Sequence, residues 1–99
     1  MFDKEVILAV VKNDPHKLNT LLNSGVTSGF LDPLNQTPLQ WATRLGFMRC
    51  ISLLKKRSKD VHYYNQEDVS SETINEYVNF LKEAGVPQNI LLELLSETK

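Results

Sequence analysis

Apolar positions along this chain recur at helical spacing, and nothing in it alternates with the two-residue period of a half-buried strand. Val6, Ile7, Ala9, Val10 and Val11 form a first apolar run, and Asn13-Asp14-Pro15 interrupts it. Asp14 suits the cap of a second helix and Pro15 its first turn, where the missing N–H is not needed. Leu18, Leu21 and Leu22 then share one face, and Gly25 supplies a stop. This predicts an αα-hairpin over residues 1–26.

Residues 26–36 hold Gly29, Asp32, Pro33 and Asn35, each a turn former for its own reason. Thr37-Pro38 opens a third helix, with Thr37 as its cap. Leu39, Trp41 and Ala42 give that helix an apolar side, and Gly46 ends it. A fourth helix from Met48 to Arg57 is expected to turn Cys50, Ile51, Leu53 and Leu54 inward. Residues 61–71 are polar and aperiodic, which predicts a loop. Ser70 or Ser71 can then cap a helix to Ala84 with Ile74, Tyr77, Val78, Phe80 and Leu81 inward. Gly85 stops it, and Pro87 starts a helix to about Leu95 with Ile90, Leu91, Leu94 and Leu95 apolar. The predicted fold class is all-α.

The pattern also repeats. A shift of 33 residues (42 − 9) lays Ala9 on Ala42, Val6 on Leu39, Leu18 on Ile51 and Leu21 on Leu54. The segment from Asp32 to Val61 contains Asp32, Asn35, Thr37-Pro38-Leu39-Gln40-Trp41-Ala42, Gly46, Ile51, Leu53-Leu54 and Asp60-Val61. It resembles one full ankyrin repeat, whose signature is a T-P-L-H-x-A helix start and whose period is 33 residues. Gln40 stands where that family has His, and Asn35 where it has Gly. Asn tolerates positive φ better than most residues, so that turn is expected to survive. Ser58 replaces the glycine that ends the second helix.

The resemblance implies an ankyrin-like helical-hairpin solenoid of about three units in one domain. Residues 1–26 would be an N-terminal capping unit, 27–61 a full repeat, and 62–99 a loop with a divergent helical cap. In that last unit Glu76–Val86 resembles a second helix with its Gly turn. Aligning Gly85 with Ser58 leaves about six residues missing from the period. The resemblance further implies that Pro33, Leu34, Gln36, Arg44, Leu45 and Arg57 lie where ankyrin proteins vary their binding surface. The same offset puts Val11 and Lys12 on that face in the first unit.

Two aromatic signals sharpen this picture. Trp41 reads either as a core filler or as a half-exposed anchor on a concave surface. Tyr63 and Tyr64, adjacent in a polar loop, offer contact area at little entropic cost. In the loop Ser28–Leu34, Phe30 or Leu31 can tuck under the hairpin. Leu34, between Pro33 and Asn35, is expected to project as an apolar contact tip.

Composition narrows the function. The chain has 99 residues with 11 Lys and Arg against 12 Asp and Glu, a balance unlike that of a general nucleic-acid binder. The run Lys55, Lys56, Arg57, Lys59 is the local exception, and it also complements a helix C-terminus. One cysteine, Cys50, precludes an intrachain disulfide and fits a reducing compartment; it sits at an apolar position, as a small hydrophobe. The N-terminus carries acids where a signal peptide has cations, and the Val6–Val11 run is too short for a membrane span. A cytoplasmic protein is expected.

His16 and His62 lack the spacing of metal ligands, and His62 with Glu67 and Asp68 would need the loop to fold back. No phosphate loop, carboxylate pair or nucleophile motif is present. No catalytic residue, cofactor, metal or small-molecule substrate is therefore expected. The expected function is protein binding by occupancy: a stoichiometric inhibitor of the immunity, antitoxin or virulence-factor kind, or else a small adaptor. Nucleic-acid association through Lys55–Lys59 ranks below both.

Overall fold

The computed structural model describes residues 3–57 and 70–97, which form six helices and no strand. In chain order these are α1 (Lys4–Val11), α2 (Pro15–Asn23), α3 (Pro38–Leu45), α4 (Met48–Lys56), α5 (Ser71–Glu83) and α6 (Gln88–Glu97). Among the described residues none is long and apolar enough to cross a membrane.

The caps explain where the helices begin. Asp3 accepts from the backbone N–H groups of Glu5 and Val6, and Asp14 accepts from Lys17 at 3.0 Å. Ser70 does the same for Thr73 at the start of α5. At α3 the cap is reciprocal: Thr37 Oγ1 accepts from the Gln40 N–H at 3.1 Å, and Gln40 Oε1 accepts from the Thr37 N–H at 2.8 Å. Gln40 thus closes a capping box, which satisfies two helix-end donors at once.

The helix ends repeat as well. Gly46 closes α3 in the left-handed region at φ 74°, and 33 residues earlier Asn13 closes α1 at φ 54°. The same bond accompanies both: Asp14 N–H to Ala9 O at 2.8 Å, and Phe47 N–H to Ala42 O at 3.0 Å. α1 packs against α3 and α2 against α4, so the first hairpin packs on the second. Ala9 and Ala42, both buried, keep the helices close.

α5 runs into α6 across Gly85, Val86 and Pro87, much as α1 runs into α2 across Asn13, Asp14 and Pro15. Gly85 has φ 97°, and the Val86 N–H reaches Leu81 O at 3.0 Å. The same left-handed glycine and bond follow α2, where Gly25 has φ 95° and the Val26 N–H reaches Leu21 O at 3.2 Å.

One core joins all six helices. α1 is its centre, with Val6, Ile7, Ala9, Val10 and Val11 all buried. α4 buries only Cys50 and Leu54, while Ile51 and Leu53 stay half-buried. Burial pushes the Cys50 thiol up from its ordinary value, and the nearby Asp14 charge adds to the shift. A raised thiol pKa in an apolar setting fits a packing role.

Candidate binding surface

The loop from residue 26 to 36 decides which side chains reach solvent, and Asp32 organises it. The Asn35 N–H donates to Asp32 O and the Asp32 N–H to Gln36 O, both at 2.9 Å. Asn35 adopts φ 59°, so a tight turn followed by a left-handed residue closes the loop on itself. Inside it, Asp32 Oδ1 accepts from the N–H groups of Leu34 (2.9 Å) and Gln36 (2.7 Å). Asp32 Oδ2 accepts from Trp41 Nε1 at 2.6 Å and from Tyr77 Oη at 2.7 Å. Four donors therefore converge on a carboxylate that is 0% exposed.

Burial is the dominant influence on Asp32 and raises its pKa above the ordinary value, against the lowering effect of its four donors. The Tyr77 hydroxyl is raised too, by burial first and then by the Asp32 charge it faces. Neither group is presented to solvent. Asp32 is a tie between the loop, α3 and α5, and all its acceptor capacity is spent on the fold.

This tie corrects several expectations. Leu34 is fully buried, because bonding of its N–H to Asp32 turns the loop inward instead of outward. Pro33 and Gln36 are buried with it, and the Gln36 amide donates back to Leu34 O and Asn35 O. Phe30 is buried, as its tucked reading required, and Leu31 is half-buried. Trp41 is a core residue and not a surface anchor, its indole N–H taken by Asp32. Val11 is buried, whereas Lys12 is exposed.

Arg44 and Leu45 are half-exposed, and Arg44 Nη1 lies 3.5 Å from Glu93 Oε2 on α6. Arg57 is exposed and donates to Leu22 O at 3.4 Å and to Asn23 Oδ1, joining the C-terminal ends of α2 and α4. Tyr63 and Tyr64, with His62, Glu67, Asp68 and Lys59, lie outside the described residues. Among the described residues no three His, Cys, Asp or Glu side chains gather as a metal site.

Among the surface grooves of the described residues, two bear on the expected contacts. One, of about 420 Å³, runs over α3 and is lined by Gln36, Leu39, Gln40, Thr43 and Arg44. It brings Gln36 and Arg44 together and adds Leu39, Gln40 and Thr43, which sequence reasoning had not placed on a surface. The other, of about 520 Å³, lies between α2 and α4, where Pro15, His16, Asn19, Met48, Arg49 and Leu53 meet. The signal for this one was faint: Met48 falls off the stripe set by Cys50 and Leu54 and is 72% exposed.

Comparison with protein-family models, with curated proteins and with solved structures found no match.

Proposed function

We propose that this chain is a small ankyrin-like stack of helical hairpins that binds another protein and acts by occupying its surface. The observation that carries this reading is the 33-residue equivalence. Ala9 and Ala42 are buried at matching positions, Asn13 and Gly46 are left-handed at matching positions, and α1 packs against α3 and α2 against α4. Hairpins stacked in this way build an extended surface that suits protein recognition. The grooves over the helices are open, and the buried carboxylate is committed to the fold. An occupancy role needs nothing more than such a surface.

We place the contact on the α3 groove, where Arg44 supplies a planar donor for a partner carboxylate and Leu39 an apolar floor. One groove with one Arg44 donor suits one partner, which favours a stoichiometric inhibitor over an adaptor. The buried free Cys50 suits a reducing compartment, so we place the protein in the cytoplasm.

The test is affinity capture from the native cell with the tagged protein and with a Thr43→Arg variant. Thr43 is exposed, and the bulk and charge of Arg would fill the groove without touching the core. The expected result is one protein held at 1:1 by the wild type and reduced at least tenfold by the variant, about the loss of a single hot spot. Equal retention by both would overturn the α3 assignment.

A further inference from the structure

The charges of this chain are sorted along it. Residues 15–57 carry six Lys and Arg and one acid, and that acid is the buried Asp32. Residues 70–97 carry five acids and a single base, Lys82. The α2–α4 side is therefore cationic and the α5–α6 side anionic, although the net charge of the whole is only −1.

Apolar exposure follows the same division. Among the described residues two large apolar side chains are left in solvent, Met48 at 72% and Leu92 at 58%. Met48 lies in the α2–α4 groove beside Arg49, with Pro15 and Leu53 as further apolar lining. One turn further along α4 from Leu53, Lys56 adds a second exposed cation. Leu92 stands on α6 next to Glu93, an exposed acid. Each patch pairs an apolar centre with a charge, and the two charges are opposite.

We propose that a second copy of this chain fills the α2–α4 groove with its α6, Leu92 seating against Met48 and Leu53 and Glu93 facing Arg49. An apolar centre beside a complementary charge is the arrangement that gives an interface both area and orientation. The two patches are different surfaces, so the contact is head-to-tail and leaves one free patch at each end. It grows into chains, or into rings if the rotation closes. The contact is one groove and one side of one helix, held partly by an exposed ion pair, so the association is weak and sensitive to salt. This goes beyond the binding function above: it involves no foreign partner, and it requires Glu93 to exchange its 3.5 Å pair with Arg44 for one with Arg49.

The geometry dictates a decisive experiment. A groove variant, Met48→Glu with Arg49→Glu, retains a working α6. A knob variant, Leu92→Ala with Glu93→Gln, retains a working groove. All four side chains are exposed, and circular dichroism and melting would verify that both variants fold. In sedimentation velocity the wild type is expected to show a rising sedimentation coefficient between about 10 μM and 1 mM, the range of a weak interface. Salt of about 0.5 M, where the screening length falls to a few ångströms, should suppress that rise. Each variant alone should stay monomeric. Their equimolar mixture should form a dimer that stops at two, since only one productive pairing remains.

A wild type that stays monomeric throughout would overturn the proposal and leave the groove to an acidic segment of another protein or to nucleic acid. Two variants that remain monomeric when mixed would also overturn it. So would association that survives in both variants alone, because it would use another surface.

Discussion

Tyr77 donates its hydroxyl to Asp32 at 2.7 Å across 45 residues of sequence, tying α5 to the loop that precedes α3. Tyr77 is 2% exposed and stacks on Phe80 with ring centroids 5.8 Å apart, so the hydroxyl is held in place by its ring. Phe80 in turn sits 5.6 Å from Lys4 Nζ on α1. Replacing Tyr77 by Phe keeps the ring and removes one donor from a buried carboxylate. Hydrogen bonds to charged groups are each worth more than neutral ones, so the expected loss is about 1–3 kcal/mol in urea unfolding. A variant as stable as the wild type would show that α5 docks by its apolar contacts alone.

Asp32 itself has a pH signature. Its folded-state pKa is raised above the ordinary 3.8, so the folded protein holds this proton more tightly than the unfolded chain does. The stability linked to that proton is fully present below the unfolded value and is lost as pH rises through the folded one. Asp32→Asn abolishes the titration. Its amide also turns a donor toward the Trp41 or Tyr77 donor, which costs about 1–3 kcal/mol. Calorimetric melting of both proteins should show the wild-type advantage growing as pH falls from 7 toward 4. An advantage that shrinks instead would mean that the four donors outweigh burial and hold the carboxylate ionised.

The stacking of hairpins rests on small residues at the crossing. Ala42 is 0% exposed and Ala9 4% exposed, and α1 lies directly along α3. Leu at position 42 would force the two helices apart, at about 1–3 kcal/mol for overpacking. Thermal unfolding of Ala42→Leu reads this, and an unchanged midpoint would remove the packing equivalence of the two alanines.

The left-handed positions give a cleaner test of backbone strain. A Cβ on Gly46 would meet no atom within 4 Å, so any cost of Gly46→Ala comes from its φ of 74° alone. That cost is expected near 1 kcal/mol, with Gly46→Asn costing less because Asn visits this region more readily. Asn already serves in this way at position 13. Equal stability losses for Ala and Asn in chemical denaturation would break the equivalence of the two turns.

The helix boundaries were legible because their signals are local. Asp14-Pro15, Thr37-Pro38, Gly46 and Gly85 each act on a backbone within a few residues, so their sequence neighbourhood suffices. The buried tie was not legible. Asp32 reads as a turn former, and its donors Trp41 and Tyr77 come from other elements; nothing near Asp32 announces that it is sealed from water. Once it is sealed, Pro33 and Leu34 go inward with it, and the largely buried Gln36 keeps only its edge on the α3 groove. Arg44, which the repeat resemblance placed on the binding face, stands half-exposed on α3. Leu92 was read as neither core nor surface, since the core-facing positions of α6 leave it between Leu91 and Glu93.

Leu34 and Arg44 separate the two kinds of position in one comparison. Both stand where the repeat resemblance places partner contacts, but their surroundings differ in kind. Leu34 is 0% exposed and belongs to the shared core, while its N–H is held by Asp32. Truncation to Ala removes buried methyl groups and leaves a space the loop cannot easily fill, because the bonds to Asp32 fix its backbone. The expected loss is about 2–5 kcal/mol. Arg44 is half-exposed, and its ion pair with Glu93 is 3.5 Å long with the Glu93 side chain 66% exposed. Surface pairs of that kind contribute about 0–1 kcal/mol, so Arg44→Ala should unfold close to the wild-type midpoint. In urea titrations monitored by Trp41 fluorescence the two variants should therefore fall far apart. If Leu34→Ala proved as mild as Arg44→Ala, the loop would have to leave the core readily, and Leu34 would return to the binding surface.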